Sequence, residues 1–232
     1  MITQFLAWYV VMQLIGLLAL PLAWRLLPFL PDRGYAVARV LGILLINYGL
    51  WIAYSFGLLR YEAGSAWLFV LLLGAVSLAA GWPILRAWRQ GGESPVRWRY
   101  VPAVEVLFLL AFAGWALVRA YDPAANHTEQ PMDLMFINSI TASPTYPPMD
   151  AWLGGHPISY YYFGYWMLAT LGLLSGQPPE IAYNLGQAAW YGLLLSDAFG
   201  LAYNLLAASR RFWAAVGGGF VGAELGIGIV GV

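Results

Sequence analysis

Four carboxylates and both histidines of the chain fall in one stretch, 121–158, which reads YDPAANHTEQPMDLMFINSITASPTYPPMDAWLGGHPI. They are Asp122, Glu129, Asp133, Asp150, His127 and His156, and no Lys or Arg accompanies them. Two chemistries suit such a set. A carboxylate can take a proton from a hydroxyl nucleophile. Carboxylate oxygen with imidazole nitrogen can hold a divalent cation such as Mn²⁺ or Mg²⁺, and Asp150 with His156 would offer one ligand of each kind. Plainer roles fit the same residues: Asp133 as a helix-start charge, Asp122 as the opening of an Asp-Pro turn, His156 before Pro157 as an interfacial histidine. The two histidines match no zinc spacing. NHT at 126–128 fits an N-glycosylation sequon, a short and frequent motif. A loop of this length without a function would be unusual.

The surroundings of this loop are apolar. The chain has 232 residues, 61% hydrophobic and only 9% charged, against about a quarter charged in soluble domains. That leaves too little polar surface for a water-exposed globule, so the chain is read as an all-α, polytopic integral membrane protein whose first partner is the lipid bilayer. Net charge is zero, which gives nucleic acid no basic field to follow. There is no Cys and every basic residue is Arg. Disulfides, thiolate metal sites, cysteine nucleophiles and Schiff-base lysines are thereby excluded. The N-terminus MITQFLAWYVVMQ lacks the basic start of a cleavable signal.

A helix needs roughly 20 apolar residues to span the hydrocarbon core. Seven candidate spans follow, at 4–23, 37–59, 64–85, 101–120, 159–176, 181–208 and 212–232. The chain divides into N-terminal membrane helices (1–120), the acidic loop (121–158) and further membrane helices (159–232). GAELGIGIVGV at the end has no polar tail, and the chain is expected to be the first part of something longer. With the N-terminus outside, seven arginines lie inside and Arg60, Arg119, Arg210 and Arg211 outside. That favours an outer acidic loop, and the Arg210–Arg211 pair is its misfit.

Within the loop, Pro131 suits a first helical position. Met132, Met135, Phe136 and Ile140 recur at helical spacing. A short amphipathic helix is expected at 131–141, with Asp133 in its first turn. Gly154-Gly155 permits a sharp reversal. Then come three tyrosines, Tyr160, Tyr161 and Tyr162, expected to open the next helix. On a helix they would fan over about 200°, so some would face lipid as an aromatic belt and the others a site.

YYYFG at 160–164, TEQPMDLMFINSI at 128–140 and PPMDAWLGGHPISYYYFGY at 147–165 resemble the signature blocks of the YYY membrane protein family (Chlor_Arch_YYY). That family consists of large polytopic proteins of bacteria and archaea, weakly similar to protein O-mannosyltransferases and other GT-C glycosyltransferases. The resemblance implies a multi-pass protein of the cell membrane and a polyprenyl-phosphate sugar donor. It implies Asp133 and Glu129 as the acidic pair, one of them taking the acceptor's proton, and Asp150 as a second acidic position. Tyr160, Tyr161, Tyr162 and Trp152 would contact sugar or lipid, and Arg119, the Arg210–Arg211 pair or residues of a longer chain would meet the lipid phosphate. A GT-C loop of this kind typically follows the first span, whereas this one follows the fourth, which implies three additional helices ahead of it. The rival reading is a non-enzymatic transporter or assembly scaffold. It rests on polar residues inside the spans: Asn47, Glu105, Asn184, Gln187, Asp197, Asn204 and Glu224.

Overall fold

In a bilayer a segment must satisfy its backbone hydrogen bonds internally, so long apolar runs become helices. The computed structural model describes residues 2–225, with side chains to residue 209. Its helices are α1 (Ile2–Leu26), α2 (Ala38–Ser55), α3 (Ala63–Arg89), α4 (Val101–Tyr121), α5 (Gln130–Thr141), α6 (Phe163–Ser175) and α7 (Pro179–Leu225). Extended pairing among the described residues is limited to an isolated bridge between Met149 and Pro157. The protein is a helical membrane protein, and among the described residues five helices are long and apolar enough to cross: α1 to α4 and the Pro179–Ser209 part of α7.

Two expected spans change. The segment 159–176 becomes helical only at Phe163 and yields 13 residues, too few to cross the hydrocarbon core. The break expected near 209–211 does not occur, because α7 runs on to Leu225. Side chains of the expected span 212–232, with those of Arg210, Arg211 and Glu224, lie outside the described residues.

The short α6 folds back on α7. Gly176, at φ 67°, ends α6 in the left-handed conformation glycine tolerates best. Gly172 then lies against Ala182, and Gly186 against Leu168, so the two helices are antiparallel. α7 begins beside the end of α4, where Asn184 meets Arg119. It reaches the α1–α2 connection at its far end, where Asn204 meets Asp32. Residues 122–178 therefore leave and return at one end of the bundle, and α6 is a re-entrant hairpin arm. This disposes of the arginine misfit. Residues 210 and 211 follow Ser209 directly at the end opposite the acidic loop, so only Arg60 and Arg119 remain at the loop end.

The crossing helices are tied by polar contacts that replace water. Arg39 of α2, 4% exposed, forms an ion pair with Glu105 of α4. It also donates to Gln13 Oε1 of α1 at 2.7 and 3.0 Å and lies over the Phe108 ring at 4.4 Å. Tyr35 donates to the other Glu105 oxygen at 2.8 Å. Gly16 makes room for this: a Cβ there would meet Arg39 Cγ at 2.6 Å. Pro21 interrupts α1, and the Leu22 N–H bonds across to Ser77 Oγ of α3 at 3.0 Å, the kind of repair that lets proline persist inside membrane helices.

Two predictions follow from this frame. Glu105→Ala, by stranding the buried Arg39 charge, should destabilise the protein by about 3–5 kcal/mol, read as a lower detergent-phase melting temperature, and Glu105→Gln should cost less. Because the chain has no Cys, single cysteines report topology cleanly. Membrane-impermeant maleimide should label His127→Cys and Glu180→Cys from the same side and Glu93→Cys from the other. Opposite-side labelling at positions 127 and 180 would show that α6 crosses.

Candidate functional site

The amphipathic helix expected at 131–141 is α5, Gln130–Thr141, with Glu129 at its N-cap and Pro131 in its first turn. Phe136, Ile137 and Ile140 are buried on its apolar face. Asp133 sits in the first turn, and its Oδ1 accepts a 2.5 Å hydrogen bond from the Tyr165 hydroxyl of α6. The carboxylate is thus held from two sides, by a helix N-terminus and by a phenol. Tyr165 had no place in the sequence reading. Its signal was position: it lies one turn after Tyr161 and Tyr162, on the helix that returns toward α5.

The tyrosine triplet precedes α6 instead of opening it, since the helix starts at Phe163. The expected helical fan of three rings therefore does not form, and the rings part company at a bend before the helix. Tyr160 stacks on Phe136 of α5 at 5.2 Å and on Tyr161 at 3.9 Å. Its hydroxyl donates to Tyr161's at 2.6 Å. That bond, with the nearby charges of Glu129 and Asp133, pushes the Tyr160 phenol up to about 12, so at neutral pH it is a donor and not a base. Tyr161 is 76% exposed. Tyr162 turns away and accepts from Trp51 Nε1 of α2 at 2.9 Å. The structure thus gathers Glu129, Asp133, Tyr160, Tyr161 and Tyr165 at the start of α5 and assigns Tyr162 to the α2 contact. Glu129 itself is exposed.

Asp150 and His156 face each other across a hairpin, Asp150 N–H donating to the His156 carbonyl at 2.9 Å. Asp150 Oδ1 accepts the backbone N–H groups of Trp152 and Leu153 at 2.8 and 3.0 Å, an Asx-type turn. Half of the carboxylate is committed to that turn. No group of three or more His, Cys, Asp or Glu side chains is placed to share a metal ion among the described residues. Water or substrate oxygens would have to complete the six or more that a hard divalent cation takes beside this pair. Trp152 stands 67% exposed at the tip. His127 pairs at 3.6 Å with Asp122, both exposed.

Arg119 is 8% exposed near the end of α4. Its Nε donates to Asn184 Oδ1 of α7 at 2.9 Å and Nη2 to the Ala124 carbonyl at 3.3 Å. The guanidinium lies 5.8 Å from the Tyr183 ring centre, and Tyr183 is close enough to feel the charges of both Arg119 and Asp133. All its partners are neutral, although buried charges are normally paired. It lines an apolar groove of about 460 Å³ with Phe5, Ala116, Leu117, Ile181 and Leu185. Arg119 is therefore a cation in the wall of a largely apolar groove.

The polar residues within the spans mostly bond to one another or to their own helix. Glu105 meets Arg39, Asn184 meets Arg119 and Asn204 meets Asp32. Asn47 donates to the Ile43 carbonyl of its own turn. Gln187 bonds Tyr183. Asp197 keeps one buried oxygen without a partner. The two AYNL tetrads, at 182–185 and 202–205, lie on the single helix α7.

No curated protein and no solved structure matches the chain. A family model described as an uncharacterized membrane protein family matches residues 45–231, most of the chain, including the acidic loop, the tyrosines and Arg119. With five crossing helices around a loop-end cluster, the chain belongs to the uncharacterized membrane protein family DUF2298.

Proposed function

We propose that this protein is a membrane glycosyltransferase of GT-C type, acting on a polyprenyl-phosphate sugar at the loop end of the bundle. The observation that supports it most is that a helix-start carboxylate pair lies at the same end of the bundle as an apolar groove lined by a buried, neutrally partnered arginine. The arginine count favours the loop end as the outer face, because nine of the eleven arginines fall at or just past the other end.

In this reading the lipid chain occupies the groove and its phosphate meets Arg119. The acceptor hydroxyl gives its proton to Asp133, or to Glu129, as its oxygen attacks the anomeric carbon. The bond from that carbon to the phosphate oxygen breaks, and the leaving lipid phosphate carries the negative charge that Arg119 stabilises. Tyr165 aims Asp133, while Tyr160, Tyr161 and Trp152 offer ring faces and hydroxyls to the sugar. Asp150 with His156 does not fit a divalent cation well enough to route a step through one.

A transporter or scaffold is the second reading, supported by the buried Arg39–Glu105–Gln13 group and by the orphan oxygen of Asp197, since intramembrane ionisable residues often mark transport paths.

Asp133→Asn should abolish sugar transfer from a radiolabelled polyprenyl-phosphate donor in membranes containing the protein, at unchanged expression, and Glu129→Gln should lower it. Full transfer in both variants would sink the assignment. Donor flux in proteoliposomes without transfer would favour the transporter. Tyr165→Phe removes a hydrogen bond to a charged group and should lower kcat about ten- to a hundredfold, with little change in donor binding.

A further inference from the structure

A second concavity lies at the opposite end of the bundle. The last turn of α1, the following turn and α3 enclose a cavity of about 460 Å³ lined by Trp24, Arg25, Pro28, Arg33, Pro83 and Ile84. Two guanidinium groups share it with no carboxylate. Neither Arg25 nor Arg33 has an ion-pair partner among the described residues.

The obvious counter-charge is spoken for. Asp32, next to Arg33, is 3% exposed. Its Oδ1 accepts from Gly34 N–H and Asn204 Nδ2, each at 2.9 Å. Its Oδ2 accepts from Ala36 N–H at 3.2 Å and the Tyr100 hydroxyl at 3.3 Å. Those bonds lock the turn, in which Arg33 itself holds φ 51° and Gly34 φ 77°. A non-glycine residue in the left-handed region is uncommon and needs such support. The carboxylate is saturated inside the bundle, while the neighbouring cation is held at the cavity.

A third observation is independent of charge. Trp24 is 5% exposed, and its indole Nε1–H is buried without any acceptor. An unpaired buried donor is costly. Two cations thus border the same space without an anion, and the Trp24 ring forms part of its wall. Compensation of a helix C-terminus explains an arginine in the last turn of α1. It does not explain the second arginine on the turn. Around the cavity Phe29, Trp82 and Trp98 are exposed at 71%, 53% and 60%, as befits the headgroup boundary.

We propose that this cavity binds the phosphate of an anionic phospholipid, its oxygens shared by Arg25 and Arg33 against the wall formed by Trp24, with an acyl chain lying along α1 and α3. The site is separate from the acidic loop and does not depend on the glycosyltransferase reading.

Native mass spectrometry of the intact protein, released from nanodiscs of phosphatidylglycerol and phosphatidylcholine in equal parts, tests it. The wild type should retain phosphatidylglycerol preferentially, and Arg25→Gln/Arg33→Gln should lower that preference about tenfold or more. Trp24→Phe, which shrinks the cavity wall by one ring of the indole, should weaken it by a smaller factor. Arg119→Gln, at the other end, should leave it unchanged. If the double variant does not fold, the single variants and Trp24→Phe carry the comparison. Retained selectivity in variants that fold, or none in the wild type, overturns the proposal. So does equal competition by inorganic phosphate, which would make the occupant a free anion.

Discussion

Arg39 carries a full charge at the meeting point of α1, α2 and α4, and a charge there must be neutralised by the protein. Glu105 supplies the opposite charge, Gln13 a carbonyl oxygen and Phe108 a ring face. Each partner comes from a different helix or a different turn, so the contact fixes how α1, α2 and α4 rotate about their axes. Gly16 is part of the same constraint, because the arginine stem lies where its side chain would be. With α1 and α4 set, α7 packs along α4, and Gly192 lies on Phe108, the ring that Arg39 covers. The registration of α7 then decides where its two asparagines fall. Asn184 reaches Arg119 at one end and Asn204 reaches Asp32 at the other.

Those two ends are built on opposite principles. At the Asp32 end the anion is saturated by backbone N–H groups, an amide and a phenol, and the arginines around it stay available. At the loop end the cation is enclosed by neutral oxygens, and the carboxylates are held on a separate short helix. α5 and α6 are too short to cross a bilayer, and they form a platform at the loop end that packs on α7 and, through α6, on α1, α2 and α3. Tyr54 reinforces that platform from α2 by donating to the Ser143 and Thr145 carbonyls at 3.0 and 2.8 Å. The Tyr61 N–H donates to the Pro144 carbonyl from the α2–α3 loop. A rigid support of this kind suits a carboxylate that must be aimed, since a loop alone would leave it mobile.

The long apolar helices and α5 were legible because each carries a complete local signal: apolar length for the spans, Pro131 and three- and four-residue periodicity for α5. α6 was misjudged as a span because Tyr160–Tyr162 were counted into its apolar length. Without them the run from Phe163 is 13 residues, the length of a re-entrant or interfacial segment. Seeing that also corrects the parity of the helices that follow and the placement of Arg210 and Arg211. In the candidate site, Asp133, Glu129, Tyr160 and Tyr161 were legible from type and neighbourhood. Tyr165 and Tyr183 were not, since their roles depend on helix packing that no local pattern encodes. Tyr162 shows the converse: its sequence neighbours are in the cluster, but at the start of α6 its ring points to Trp51.

Asp133 and Glu129 sit four residues apart, yet their surroundings differ in a way that bears on which can act as a base. Asp133 is half-buried, with one oxygen engaged by Tyr165 and the other not, so its reactive lone pairs point in a defined direction. Glu129 is exposed and makes no side-chain cap bond. A mobile, solvated carboxylate must be ordered before it can meet a hydroxyl, and that ordering costs conformational entropy. The positioned one has already lost that freedom on folding, and proximity of this kind is a large part of what a catalytic group contributes. Under the proposed transfer Asp133 is the better placed proton acceptor, with Glu129 adding negative potential near Tyr160. That potential, with Asp133's own charge, helps keep the Tyr160 phenol protonated, and a protonated phenol beside an ionised carboxylate presents both a donor and an acceptor to a bound hydroxyl group.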